Sequence, residues 1–273
     1  MRKASILIEI EFAHPTDEGQ GVVHENAPCR LPGIFACPNF HGVPASLNSW
    51  ELLGAILASA LFWMQYVDLK DRRQPEPRRR LLLAFVLGMV AWGLSVLTFV
   101  ALEAVGVPDV RWGDHGWTAV FCFLIVGPLE EGAKALMAYL FVFRWREFDE
   151  PIDGFVYAAA IALGFASLEN FNSLPDLGWS SQLARTIALP ITHTLFSAIW
   201  GFGAAHARFA VPPGRCRLFW QIGTLALAMM AHGLYDYVIF AYQAAVVASG
   251  MALVLWAFVI WRAHQCVKLT PPV

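Results

Sequence analysis

The chain has 273 residues, 58% of them hydrophobic and 15% charged, with a formal net charge of −2 and a mean hydropathy of +0.53. Soluble domains carry about 45–50% apolar and about 25% charged residues, so this composition excludes an ordinary water-soluble globular class. The near-neutral charge offers no basic surface for nucleic acid. The apolar residues gather in runs of about 18–25, long enough to cross a bilayer as helices, and lack the two-residue alternation of a membrane β-barrel. The eleven Trp suit a chain that places indoles at the membrane interface. The expected class is an all-α polytopic bundle of about seven spans.

In chain order, residues 1–48 hold five prolines and several acids; they are too charged for a signal peptide and read as a poorly ordered N-terminal extension. Within them Cys29 and Cys37, with His24 and His41 nearby, do not have a standard zinc spacing. Predicted spans follow at 49–67, 81–105, 118–143, 152–171, 183–209, 218–242 and 244–261. The third carries Gly127-Pro128, and a proline there kinks the helix just before Glu130. The last two spans are nearly contiguous and require a tight turn near Gln243. Thirteen basic residues collect on one side of this arrangement, six of them between 68 and 80, against five on the other, Arg2, Lys3, Arg30, Arg111 and Arg185. The positive-inside rule then puts the N-terminus outside and the C-terminus in the cytoplasm. Domain boundaries are expected at 1–48 (extension), 49–264 (membrane domain) and 265–273 (cytoplasmic tail).

Ionisable residues inside these runs are the informative feature, since each costs roughly 2.5–3.5 kcal/mol or more at mid-membrane. Glu130-Glu131-Gly132-Ala133-Lys134 is the densest group. Glu130 and Lys134 are four apart and share a helix face, while Glu131 is three from Lys134, so one lysine can pair with either acid and leave the other for proton transfer. A structural ion pair locking two helices is the alternative. Glu169 lies towards the outer end of the fourth span, where an interfacial acid is the competing reading. His193 stands in the fifth span, with Ser197 one turn on and expected to bond back to its own helix. His232 and Asp236 are four apart, and a carboxylate beside an imidazole fixes its tautomer. Asp153 is expected near the start of its helix as a capping or interfacial charge.

In this order, Glu130-Glu131-x-x-Lys134, Phe165-x-x-x-Glu169-Asn170, His193 and His232-x-x-x-Asp236 resemble the PrsW family of intramembrane proteases, related to the CAAX prenyl endopeptidase and bacteriocin-processing superfamily. Residues 71–77 also resemble that family's first cytoplasmic loop. The resemblance spans residues 52–264 and has no counterpart for 1–48. It implies peptide-bond hydrolysis in the membrane and, in some members, site-1 cleavage of membrane-anchored anti-sigma factors. The expected partners are the lipid bilayer and a membrane-anchored protein or peptide, with no nucleic acid, in a bacterial cytoplasmic membrane.

The expected catalytic set is Glu130, Glu131, Glu169, His193, His232 and Asp236, with Glu130 or Glu131 taking a proton from the attacking water. Glu169, His193 and His232 are the expected ligands of a divalent metal, zinc first, with whichever of Glu130 and Glu131 is not the base as the alternative to Glu169, since two His and one acid suit a catalytic site with an open position. A metal-free mechanism driven by glutamate is the alternative within this class. Outside it, the same residues suit a proton-coupled transporter, although no internal repeat accompanies them. A haem or quinone protein using the two histidines leaves the glutamates without a role.

Overall fold

The computed structural model describes residues 47–69, 74–110 and 113–269; the expectations for the N-terminal extension and its cysteines lie outside these residues. The described residues form helices joined by short turns. Six helices are individually long and apolar enough to span a membrane: α1 (Ser49–Asp68), α2 (Arg78–Ala104), α5 (Asp153–Ser173), α6 (Trp179–Phe209), α7 (Arg215–Tyr242) and α8 (Ala245–Leu269). The chain is an integral multi-pass membrane protein.

The third predicted span is built differently. It runs as α3 (His115–Val120), a π-helical stretch (Phe121–Val126) and α4 (Gly127–Leu140), of 6, 6 and 14 residues. Pro128 has no N–H to give the carbonyl four residues back, and the turn before it widens: the Gly127 N–H reaches the Cys122 carbonyl, five residues away. The expected kink is therefore a π-widened stretch, a feature that frequently accompanies functional sites. It ends directly at the Glu130-Glu131 turn.

Asn48 starts α1 with a capping box, accepting from the Trp50 and Glu51 N–H groups while Glu51 accepts from Asn48, which satisfies orphan donors of the first turn. At the other end of the chain, Gln243 closes α7 in the left-handed region, φ 50°, and makes the tight turn into α8. That helix continues to Leu269, into the stretch read as a tail.

Helix α5 is central: 83% of its apolar window is buried, against 11% for α8. Alanines and glycines on α5 let its neighbours approach. A Cβ at Gly154 would lie 2.3 Å from the Gly201 carbonyl oxygen on α6, so those backbones touch. The π stretch and α7 meet in the same way, and a Cβ at Gly233 would lie 2.6 Å from the Cys122 carbonyl oxygen.

Polar pairs pin one end of the bundle. The Tyr157 hydroxyl donates to Glu76. Arg80 Nε donates to Glu147 at 2.8 Å while its guanidinium lies over Trp145; that hydrogen bond holds the Glu147 carboxyl below its ordinary range. Asp153 accepts from the Asp149 and Glu150 N–H groups at 2.8 and 2.6 Å, securing the turn before α5 rather than the first turn of the helix. At the other end, buried Gln182 accepts from the Leu47 N–H at 2.8 Å and donates to the Leu174 carbonyl at 3.0 Å.

Gly233→Ala is expected to destabilise the protein by about 1–3 kcal/mol through overpacking. Gly223→Ala, on the same helix with open space around it, is expected to lose nothing. Thermal unfolding of the two variants in detergent checks this contrast.

Candidate active site

Four elements converge. Glu130, Glu131 and Lys134 come from α4, Glu169 from α5, His193 from α6, and His232 and Asp236 from α7. Glu131 is at the centre and fully buried. Its Oε1 accepts from Lys134 Nζ at 2.8 Å and His232 Nδ1 at 3.1 Å. Its Oε2 accepts from Ser197 Oγ at 2.8 Å and Trp200 Nε1 at 2.9 Å. One carboxylate thus ties α4 to α6 and α7 with four donors, the approximate acceptor capacity of the group.

Lys134, also fully buried, reaches His193 Nδ1 at 2.6 Å. An ammonium only donates, so Nδ1 accepts and the ring proton belongs on Nε2. His193 Nε2 stands 2.9 Å from Glu169 Oε2, without the geometry of a hydrogen bond. Arg185, about two turns before His193 on α6, holds the other oxygen, Glu169 Oε1, at 2.8 Å. Aromatic rings wall these groups: Lys134 Nζ lies 4.1 Å from the Phe165 ring centre, a cation–π distance, and Phe196 stacks on His232 at 4.8 Å.

His232 faces two ways. Its Nδ1 meets Glu131, an acceptor, and therefore donates, which leaves Nε2 as the lone-pair nitrogen of a neutral ring. That Nε2 lies 3.8 Å from Glu130 Oε2 and 3.4 Å from Asp236 Oδ2. Glu131 is thus the carboxylate behind the imidazole, and Asp236 stands on the open side of the ring.

Glu130 Oε2 is buried without a hydrogen-bond partner, between His193 Nδ1 at 4.0 Å, His232 Nε2 at 3.8 Å and Lys134 Nζ at 3.9 Å. Ligand atoms of Glu130, His193 and His232 lie within 4.8 Å of one another, so these three can hold a metal ion, and an orphaned carboxylate oxygen among imidazoles fits one. A cation at His193 needs a ring lone pair and so takes the place of the Lys134 contact. All three residues line a cavity of about 930 Å³ that also takes in Glu169, Asp236 and Arg185.

The six residues expected to act together are therefore in one cluster. Glu130 lies within the group that can hold a metal, and Glu169 joins it through His193. Ser197 does not bond back to its own helix but donates to Glu131, because α4 presents a buried carboxylate within reach. Trp200 and Arg185 escaped sequence reasoning. His193, Ser197 and Trp200 follow i, i+4, i+7, one helix face, which is the signal that identifies Trp200. Arg185 counted only towards topology, although a cation inside an apolar run is itself a site signal.

Removing one partner of a buried ion pair leaves an uncompensated charge and costs about 3–5 kcal/mol. Lys134→Met is expected to destabilise by that amount. The Lys134→Met/Glu131→Gln double variant is expected to be more stable than Lys134→Met alone, as read by unfolding in detergent.

Comparison with known proteins agrees with this geometry. Residues 76–263 match the model of the PrsW family intramembrane metalloprotease. The protease PrsW of Geobacillus kaustophilus (strain HTA426) is 35% identical over 221 residues, 80% of this chain and 92% of that protein. The protease PrsW of Bacillus subtilis (strain 168) is 32% identical over 191 residues, 70% and 83% of the two chains. That of Halalkalibacterium halodurans is 31% identical over 222 residues, 81% and 97%. No solved structure matches the chain. With four helices converging on a buried Glu/His cluster in a membrane bundle, and relatives matched over most of their length, the chain belongs to the PrsW family of intramembrane metalloproteases and is a membrane-embedded peptidase.

Proposed function

We propose that the chain hydrolyses a peptide bond of a membrane-anchored protein, a single-pass anti-sigma factor being the substrate class carried by the family resemblance. In this reading Glu130, His193 and His232 hold a zinc ion. The observation that carries it is the convergence of these three on a cavity, with Glu130 Oε2 left unpartnered. Two imidazoles and one carboxylate are a donor set of catalytic zinc, which when bound polarises a carbonyl and activates water.

The protein's own groups do the rest. Glu131, with both oxygens occupied by donors, orients His232 and fixes Lys134 rather than accepting a proton. Glu169 lines the cavity with Oε2 free of hydrogen bonds and accepts the proton of the attacking water. Asp236 adds negative charge on the open side of His232. The exchanged assignment, with Glu169 as third ligand and Glu130 as proton acceptor, draws on the 2.9 Å contact between His193 and Glu169. Ion-coupled transport through these residues is not favoured, given the family and its peptidase relatives.

The topology we propose places the N-terminus outside and the C-terminus in the cytoplasm of a bacterial membrane. The membrane domain runs over 49–264, after an extension at 1–48 and before a cytoplasmic tail at 265–273. The cavity then opens towards the outer side, where α2, α5 and α7 end and α6 begins.

Metal content and cleavage of a tagged single-pass peptide in proteoliposomes test the ligand assignment. Glu130→Gln is expected to lose most of the bound zinc and at least about 10²-fold in turnover. Glu169→Gln is expected to keep the zinc and lose about 10²–10⁴-fold in turnover, the usual contribution of a general base. The opposite pattern of metal loss establishes the exchanged assignment, and full turnover of metal-free wild type overturns both.

Cys216 is exposed near the start of α7. In a protein keeping only this cysteine, a membrane-impermeant maleimide is expected to label inside-out vesicles and spare intact cells. Labelling of intact cells reverses the proposed orientation.

A further inference from the structure

Arg185 holds Glu169 with one guanidinium nitrogen, leaving other donors unused. NH2 bonds Glu169 Oε1 at 2.8 Å, and Nε is buried with no hydrogen-bond partner among the described residues. The side chain is 11% exposed, yet Arg185 lines the same cavity as the Glu/His cluster. A guanidinium carries five N–H donors in a rigid fork, and a buried cation with idle donors is costly unless something completes it. Arg185 is both partly exposed and part of the cavity wall, so a group in the cavity can reach the side chain.

Distance sets what that partner is. Arg185 NH2 and His193 Nε2 are linked through the two oxygens of one carboxylate, by contacts of 2.8 and 2.9 Å. The guanidinium is therefore no more than about 8 Å from His193, some two residues of extended peptide at roughly 3.3 Å each. Tyr235 and Asp236 of α7 line the cavity beside it.

We propose that Arg185 is a substrate-binding residue: with one nitrogen it fixes Glu169, and with its remaining N–H groups it takes a backbone carbonyl oxygen of the substrate peptide about two residues from the bond to be cut. This rests on the peptidase reading above. A backbone carbonyl is present in every peptide, so the contact sets the register of the chain in the cavity without demanding a particular side chain. Because the same guanidinium holds Glu169, peptide binding also loads the face on which that carboxylate acts.

Arg185→Lys separates the two duties, since a lysine keeps one donor for Glu169 and loses the fork. The readouts are kcat and KM for the tagged single-pass peptide in proteoliposomes. They are joined by fluorescence anisotropy of the same peptide with Glu169→Gln protein, with and without Arg185→Lys, so that binding is read without cleavage. Arg185→Lys is expected to raise KM about tenfold while kcat stays within about twofold, and to weaken peptide binding about tenfold in the anisotropy series. Arg185→Gln, which keeps amide donors without charge, serves if the lysine variant does not fold, with the same rise in KM expected. An unchanged KM and unchanged peptide binding overturn the proposal, as does a fall in kcat at constant KM, which makes Arg185 a positioning residue for Glu169 alone. Failure of wild type to cleave any such peptide counts against the peptidase reading instead, and the anisotropy series still decides the role of Arg185.

Discussion

The Glu131 carboxylate is the constraint on which the site depends. A buried carboxylate is tolerated only when its charge and lone pairs are met, and here Lys134, His232, Ser197 and Trp200 meet them from three helices. Each of these partners is fixed by the bond it makes. Lys134 is drawn to His193, His232 presents Nε2 to the cavity, and α6 is locked in rotation by two adjacent turns. Glu130, one residue earlier on the same helix, is held beside these groups with an oxygen to spare. The pair divides its labour by position: one carboxylate is consumed by structure so that the other can face a ligand.

Backbone geometry makes that packing possible. Pro128 withdraws a donor and the preceding turn widens into the π stretch, which sets the direction in which α4 leaves. Gly233 then lets α7 lie directly on the Cys122 carbonyl, and the neighbouring His232 comes within 3.1 Å of Glu131. The chain spends helix regularity at the one place where charges from separate helices have to meet. Farther out, the bundle relaxes into the lipid-facing helices α1 and α8, which contribute little to the cluster.

Much of this was legible in residue order. Charges within apolar runs mark the residues that cluster, i, i+3 and i, i+4 spacing puts Glu131, Lys134, His232 and Asp236 on usable faces, and the Gly-Pro pair marks the widened stretch before α4. What periodicity could not supply was the rotation of one helix against another. Whether Glu130 or Glu169 sits among the imidazoles depends on a few ångströms between α4, α5 and α7, and no spacing within one helix records that. Spacing alone points Ser197 to its own backbone, because the competing acceptor lies 66 residues away. Arg185 reads as a topological charge in the sequence because its partner, Glu169, belongs to another helix.

On the proposed assignment, Glu131 organises the site and does not itself exchange a proton with substrate. Thermal unfolding and bound zinc in purified Glu131→Gln, measured beside turnover, test it most directly. The carboxamide sets an NH2 donor against one of the two donor pairs, Lys134 with His232 or Ser197 with Trp200, and it removes the charge opposite Lys134. A marked fall in unfolding temperature and in zinc content is therefore expected together with the loss of cleavage. Wild-type stability and full zinc content with cleavage abolished would contradict it and make Glu131 the reacting base.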